Sequence, residues 1–335
     1  MRLSVLVLLS LAGLFPLLSR AAIDPKLLLI EQKLSGFEDK DYGAAVEKAL
    51  AEFEARTGLN LHPAGLKACG LKVSSESGLG LSTPKALVRA LTSALTRRGF
   101  TPKSIIVCDA NKDSLRAAGF LPAAAAPDQS FEGLPVIAWG DHAAVWAKDP
   151  QFCFYNQVMP KPNAPSVPWG DPRVSILPKT LMDEVDFWIN LPVLSDSKSL
   201  GISGAIASAS LGNMVNAERF TDNPASAAKV AVEVCAVPKL SKRNTLTILS
   251  LERYQVLGGP SFDAGWCRSE KTILCSANPV IIDFVGLQKI NSGRVASGIE
   301  TIHPEPPIFA TANSDEIRLG TCRPADITLV RLPAP

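Results

Sequence analysis

The stretch Leu71–Leu95, LKVSSESGLGLSTPKALVRALTSAL, changes its hydrophobic pattern twice. The apolar run 70–73 is short enough for a buried strand, and the serines and glycines of 74–80 end it because they favour turns. Thr83 before Pro84 predicts a helix start, since the hydroxyl caps an amide and proline has no amide to leave unpaired. Apolar residues then recur at helical spacing. The stretch predicts a strand, a glycine loop and a capped helix.

The loop in this stretch is a candidate anion-binding segment. It begins at Ser74, directly after Lys72 and Val73, and it contains Gly78 and Gly80. Backbone amides and the positive end of a helix dipole at such a loop suit phosphates and carboxylates. The dinucleotide fingerprint is incomplete because Thr83 stands at its third glycine position, and no P-loop lysine follows. An ordinary connection between a strand and a helix explains the same residues.

The first 21 residues predict a secretory signal peptide. Arg2 precedes an apolar run, and Ser19-Arg20-Ala21 supplies small residues where cleavage would occur. An uncleaved membrane anchor is the alternative, although the run is short for a span. We therefore expect an exported protein, periplasmic or extracellular, with a single α/β domain over 22–335 and no membrane span after cleavage.

Composition and charge argue against a nucleic-acid partner. The chain has 335 residues, 47% of them apolar and 20% charged, which is typical of a globular protein. Without the two signal arginines, 32 basic residues face 32 acidic ones, so no nucleic-acid partner is expected.

The seven cysteines lack the close spacing of metal ribbons and iron-sulfur clusters, so no cofactor or metal centre is predicted from them. One or two disulfides would suit an exported protein, but Cys69 and Cys108 fit buried core positions better.

Strands and helices alternate along most of the chain. A helix is expected over 44–55, a second strand over 105–108, and a helix ending at Gly119. Further strands are expected over 187–194 and in NTLTILSL and KTILCSANPVIIDFVGLQKI, the last passing through Asn278-Pro279 into a helix. This order predicts a mainly parallel sheet with helices on both faces. Residues 121–178 break it and predict an aromatic-rich, irregular insertion.

Ligands of open α/β sheets bind outside the carboxyl ends of the strands. The predicted strand ends carry polar residues at Ser74, Ser75, Asp109, Asp196, Ser197, Lys198, Glu252 and Asn278. Turn formation and helix capping explain the same residues. Two further groups are candidates for contact with a ligand: the turn Gly258-Gly259-Pro260, and the set Asn213, Asn216 and Arg219, which suits a carboxylate or phosphate. A tight loop and a helix cap with a solvated arginine are the alternatives.

Taken together, these segments resemble the family named domain of unknown function 362. The resemblance covers most of the chain after the signal and rests on GLKVS with LSTPKALVRAL, IIVCDANKDSLRAAGF, DEVDFWINLPVL, GISGAIASASLGNMVNAERF, GGPSFDAGW and ILCSANPVIIDFVG. It implies an α/β fold and a site built from several strand ends. The activity of the family is not established.

The chain departs from that family's pattern where charged or imidazole groups are usual. Ser195-Asp196-Ser197 replaces a histidine or a lysine-histidine pair, and Ile206-Ala207-Ser208 replaces Leu-Lys-Asn. Thr221 replaces a histidine, and Asn278 replaces an aspartate, although Asp283 remains. These losses remove groups suited to metal binding or proton transfer. The three histidines His62, His142 and His303 lie outside the strand ends and fit loop or packing positions.

Two functions follow from these observations. One is a ligand-binding or catalytically degenerate member of the family. The alternative is a periplasmic enzyme acting on a small anionic molecule, with its charged groups meeting at the carboxyl edge of the sheet: Lys72, Asp109, Lys198, Arg219, Glu252 and Asp283. Within that alternative, Asp109, Asp196, Glu252 and Asp283 would be the ligands of a divalent cation, although their spacing does not require one.

Overall fold

The computed structural model of the protein describes residues 22–221 and 223–335, so the predicted signal peptide lies outside the described residues. The first part of the chain forms β1 (Leu28–Lys33), α1 (Asp39–Thr57), β2 (Cys69–Val73), α2 (Lys85–Arg97), β3 (Ile105–Asp109), α3 (Lys112–Ala117) and β4 (Val136–Ala138). A middle segment forms α4 (Ala143–Trp146), β5 (Cys153–Tyr155) and β6 (Val174–Ile176).

The rest of the chain returns to alternating elements. It forms β7 (Phe187–Leu191), β8 (Leu194–Ser197), β9 (Gly201–Ser203), α5 (Ala205–Ala209), α6 (Pro224–Cys235), α7 (Pro238–Ser241), β10 (Asn244–Ser250), β11 (Tyr254–Gln255), β12 (Cys267–Arg268), β13 (Thr272–Ser276), α8 (Pro279–Ala296), α9 (Pro307–Ala312) and β14 (Thr328–Leu332). The predicted strand 187–194 is therefore two strands, β7 and β8, and Pro192 between them cannot donate a ladder hydrogen bond.

Eight strands form one sheet in the order β14-β1-β13-β10-β7-β2-β3-β4. All of them run in the same direction except β13, which is antiparallel to both of its neighbours. Two small sheets accompany it, β12-β11-β8-β9 and β5-β6. The predicted α/β fold with a mainly parallel sheet is confirmed.

Helices cover both faces of the large sheet. Successive residues of a strand point to opposite faces, and in β13 Ile273 and Cys275 join one apolar cluster while Leu274 joins the other. Residues of α1 and α2 belong to the first cluster, and residues of α5, α6, α8 and α9 to the second. Both faces of the sheet are therefore buried, which explains why the sequences of the strands are continuous apolar runs.

The insertion is less separate from the sheet than the sequence predicts. Within 121–178, β4 pairs in parallel with β3 and forms one edge of the large sheet. Trp139, directly after β4, is fully buried. Tyr155 in the β5-β6 hairpin is half exposed, and the Arg173 guanidinium lies 5.2 Å from its ring centroid.

The start of α2 differs from the predicted cap. The helix begins at Lys85 with Pro84 as its N-cap residue, and Thr83 makes no cap hydrogen bond. Instead, the Thr83 hydroxyl accepts from the amide of Ser74 (2.8 Å) and donates to the carbonyl of Leu191 (2.5 Å). Thr83 closes the loop and fastens it to β7.

Candidate functional site

The order of the strands places a topological switch point between β2 and β7. From β2 the chain moves outward through β3 to β4, and after the insertion it returns to β7 on the other side of β2. Crevices at such points, outside the carboxyl ends of the strands, are the usual ligand sites of α/β sheets. Lys72, the penultimate residue of β2, lies here, opposite Asn190 of β7 and Cys108 of β3.

Lys72 is the centre of a buried polar network. Its side-chain nitrogen donates to Ser208 Oγ (3.1 Å) and lies 3.3 Å from Asp109 Oδ1. Ser208 Oγ in turn donates to Asn190 Oδ1 (2.8 Å). Lys72 is only 2% exposed and Asp109 7%. We call these residues, together with Ser74 and Ser75, the Lys72 cluster.

Asp109 is the counter-ion of this cluster, and its oxygens are fully engaged. Oδ2 accepts from the amide (2.9 Å) and the hydroxyl (2.6 Å) of Ser75, while Oδ1 accepts from the amide of Ala110 (2.8 Å). Buried charges persist in proteins when they are paired and hydrogen-bonded in this way. Asp109 therefore holds Lys72 and the start of the glycine loop together.

The Lys72 cluster approaches the surface at Ser74 and Gly212, which are both half-buried. Ser74 Oγ lies 3.3 Å from Ser208 Oγ. A Cβ atom at Gly212 would lie 3.2 Å from the Lys72 nitrogen, so the backbone passes directly over the ammonium. An ammonium has three N–H groups, and two partners among the described residues engage them. We call the partly exposed surface at Ser74 and Gly212 the mouth of the cluster.

Asn213 lies beside this mouth and is fully buried. Its amide nitrogen donates to the carbonyl of Ala209 (2.9 Å), while its Oδ1 has no hydrogen-bond partner among the described residues. An unsatisfied buried oxygen is unfavourable, which makes Asn213 an acceptor available to a water or a ligand donor.

Asp283, a predicted site carboxylate, caps α5 instead of facing an open pocket. It is fully buried, and its two oxygens accept from the amides of Ala205 and Ile206. Burial raises the pKa of Asp283 to about 7, and the two amide hydrogen bonds act in the opposite direction.

Two further predicted carboxylates have local partners of their own. Glu252 accepts from the hydroxyl of Tyr42 (2.9 Å). Asp196 accepts from the amides of Gly258 (3.1 Å) and Gly259 (2.7 Å), which fixes the predicted glycine turn. Within residues 22–221 and 223–335, no group of three histidine, cysteine or acidic side chains is arranged to hold a metal ion. The arrangement of Asp109, Asp196, Glu252 and Asp283 as one set of ligands is therefore not found.

Arg219 is buried, whereas the sequence treats it as a solvated or ligand-facing arginine. It is 4% exposed and donates to the carbonyls of Asn156 (2.9 Å) and Val158 (2.5 Å) and to Ser175 Oγ (3.2 Å). Desolvation lowers the pKa of its guanidinium to about 10. Its partners all belong to the β5-β6 hairpin or the loop after β5, so Arg219 anchors the insertion.

The remaining predicted residues lie around the cluster or away from it. Gly78 has a positive φ of 66°, which favours glycine, and the ring of Phe262 packs against Gly80 where a side chain would collide. Lys198 is exposed. Asn278 caps α8 through the amide of Val280 (2.9 Å), and because β13 is antiparallel it lies at the opposite edge of the sheet.

Two residues of the cluster, Asn190 and Ser208, are not predicted as site residues. Asn190 is an amide inside the buried run FWINL, and a buried polar group needs partners. That signal could have identified it. Ser208 has no comparable signal, because α5 has only five residues and shows no helical periodicity in the sequence.

The cysteines and histidines take no part in the Lys72 cluster. All seven cysteines are free thiols, and Cys69 and Cys108 are buried as predicted. Among the histidines, His142 stacks on Trp146, and His62 Nδ1 lies 2.8 Å from the carbonyl oxygen of Arg98.

Two surface clefts lie away from the Lys72 cluster. One of about 380 Å³ is lined by Lys26, Arg318 and Arg323, and another of about 420 Å³ by Arg89 and Glu132. No helix within the described ranges is both long and apolar enough to span a bilayer.

Comparison with known proteins adds little. No family model matches the chain, and no curated protein matches it. A crystal structure of a protein from Thermotoga maritima is similar at 9% sequence identity with a TM-score of 0.38. The similarity covers 79% of this chain and 61% of that one, so this chain spans about 61% of the length of its neighbour. A likeness at this level carries no information about function.

Proposed function

We propose that the protein is an exported, catalytically degenerate α/β protein that binds a small anion at the mouth of the Lys72 cluster. The observation that supports this proposal is the position of Lys72: a buried ammonium at the switch point, one backbone layer beneath the half-buried Gly212. Its third N–H group, together with the hydroxyl of Ser74 once that hydroxyl rotates away from Ser208, would donate to a carboxylate or phosphate. The resemblance to the family of domain of unknown function 362 accords with this proposal.

The state of the other polar groups favours binding over catalysis. A general base needs a free lone pair, and Lys72 is an ammonium paired with Asp109. Asp283 is engaged by two amides and Glu252 by Tyr42. Lys72, Asp283 and Glu252, three of the groups suited to proton transfer, therefore each have a structural partner.

The contact between Lys72 and Ser208 supports the alternative, an enzyme. Their 3.1 Å separation is suitable for a serine nucleophile beside a lysine. However, the Ser208 hydroxyl donates to Asn190, so its proton points away from Lys72. A fluorophosphonate probe separates the two functions: an adduct on Ser208 would establish a reactive serine, and no adduct is expected.

Binding should weaken when a methyl group is added at the mouth of the cluster. Thermal shift measurements with phosphate and small carboxylates should show stabilisation of the wild type, because a ligand that binds only the folded state raises its stability. Gly212→Ala places a methyl group 3.2 Å from the Lys72 nitrogen. It should weaken binding by about tenfold or more, the value of a hydrogen bond to a charged group.

A matched control is available at Gly65, which is exposed and where an added Cβ atom would meet no heavy atom within 4 Å. Gly65→Ala should bind as the wild type does. Stabilisation that survives Gly212→Ala would place the ligand elsewhere, and no stabilisation by any of these anions would refute the binding function.

Export is tested separately from binding. We expect the chain recovered from periplasmic or extracellular fractions to begin at or near Ala22, because the predicted cleavage follows Ser19-Arg20-Ala21. Mass spectrometry of the intact protein measures this directly. A chain that keeps Met1 in the cytoplasmic fraction would contradict the proposed localisation.

A further inference from the structure

Asp283 and the Lys72 cluster hold the same short helix from two sides. The carboxylate of Asp283, on α8, binds the amides of Ala205 and Ile206, which are the first two residues of α5. Gly204 precedes them, and a Cβ atom there would collide with Asp283 Oδ1. The carboxylate therefore lies directly against the backbone and substitutes for an N-cap side chain, which α5 lacks.

The opposite contacts of α5 lead to Lys72. Asn190 donates from its side-chain nitrogen to the carbonyl of Ala205 (2.9 Å). Ser208, three residues further along, accepts from Lys72 and donates to Asn190. Because α5 has only five residues, a displacement at its first turn also displaces Ser208.

The surroundings of Asp283 leave its charge without a compensating cation. Cys235 of α6 is a titratable group beside it, and the Cys235 thiol donates to the carbonyl of Ile206 (3.5 Å). Within the described residues, no lysine, arginine or histidine pairs with Asp283. Desolvation raises the pKa of Asp283 from its ordinary 3.8 to about 7, so the carboxyl changes its protonation state near neutral pH.

We propose that Asp283 is a positioning residue, and that its protonation state controls the environment of the Lys72 ammonium through α5 and Ser208. An ionised carboxylate accepts from both amides, and charge-assisted hydrogen bonds are about twice as strong as neutral ones. A protonated carboxyl has one acceptor fewer for the same two donors. Its hydrogen bonds with the two amides in the first turn of α5 are therefore weaker.

The test follows the side-chain resonances of Lys72 in protein labelled with ¹³C-lysine, from pH 5 to pH 9. Lys72→Arg assigns the resonance by its absence. In the wild type, the Lys72 resonance should inflect at the pH where Asp283 titrates. Asp283→Asn cannot ionise, so its Lys72 resonance should be flat over this range. Lys112, which pairs with Asp141 at the surface, is the control and should not inflect in either protein.

A second variant keeps the test decisive if Asp283→Asn does not fold. Ser208→Ala removes the hydroxyl between α5 and Lys72 but leaves Asp283 on the amides of Ala205 and Ile206. Asp283 should then titrate as in the wild type while the inflection at Lys72 disappears. An inflection that persists in either variant, or a flat Lys72 resonance in the wild type, would overturn the inference. No ligand is used, so this outcome is independent of the proposed anion binding.

The stability profile gives a second readout with a defined sign. Between the ordinary pKa of 3.8 and about 7, the folded chain holds a proton on Asp283 that the unfolded chain has lost. The contribution of Asp283 to the free energy of unfolding is therefore fully present below that window and is lost as pH rises through it. The melting temperature of the wild type should fall across the window more than that of Asp283→Asn. Parallel profiles would show that Asp283 does not titrate there.

Discussion

Replacing Lys72 by methionine is expected to lower the free energy of unfolding by about 3–5 kcal/mol, the usual effect of removing one partner of a buried ion pair. The substitution keeps most of the side-chain volume, so the loss comes from charge and hydrogen bonding. Asp109 would remain 7% exposed with three hydrogen-bond donors but no counter-ion. Urea unfolding of the wild type and the variant measures the difference.

A matched control separates burial from pairing. Lys112 pairs with Asp141 at 3.1 Å, close to the 3.3 Å between Lys72 and Asp109. However, the side chains of Lys112 and Asp141 are both more than two-fifths exposed. Lys112→Met should change the free energy of unfolding by about 1 kcal/mol or less, because solvent screens surface pairs. Equal effects of the two substitutions would show that Lys72 is not a buried charge. Adding Asp109→Asn to Lys72→Met should recover part of the loss, since no isolated carboxylate remains.

The sequence predicts the part of the site that neighbouring strands build. Lys72 and Ser74 follow from the strand and glycine loop, and Asp109 follows from the next strand. Because β2 and β3 are adjacent and parallel, residues at their carboxyl ends meet without help from distant segments. This proximity depends on the hydrophobic pattern of the two strands and on the length of the connection between them, and both can be read from a single sequence.

Contacts that depend on strand direction or on unpatterned segments are not predicted. Asn278 follows a strand, but β13 runs antiparallel, and nothing in the letters of a strand gives its direction. Asp283 looks like a candidate catalytic group, yet its partners are two backbone amides of α5. Every residue except proline has a backbone amide, so the sequence does not show which amides a carboxylate will bind. The contact between Asp283 and the start of α5 can therefore be found only in the three-dimensional structure.

Thr83 shows how tertiary contacts replace a local signal. Threonine before proline is a strong local indication of a cap. In the fold, the same hydroxyl binds Ser74 and Leu191, which lie in the loop and in β7. The helix still begins where the sequence places it, within two residues, because Pro84 fixes the backbone at its start.

Replacing Arg219 by alanine is expected to lower the free energy of unfolding by about 3–5 kcal/mol, because it removes a buried charge that satisfies three acceptors. The carbonyls of Asn156 and Val158 and the hydroxyl of Ser175 would lose their guanidinium donor. The guanidinium carbon also lies 4.2 Å from the ring centroid of Phe220, so packing is lost as well. Urea unfolding measures the total effect, and limited proteolysis within 156–173 should report the released hairpin.

Arg173 in the same hairpin provides the comparison for Arg219. Its side chain is 41% exposed and pairs with Asp171 at 2.9 Å, so Arg173→Ala should change the free energy of unfolding by about 1 kcal/mol or less. The two variants also decide between the anchor seen in the structure and the anion contact that the sequence predicts. If Arg219→Ala leaves the unfolding free energy unchanged and removes stabilisation by phosphate, Arg219 belongs to a ligand site. If instead the free energy of unfolding falls strongly and the molecules that remain folded still bind phosphate as the wild type does, Arg219 is the anchor of the insertion.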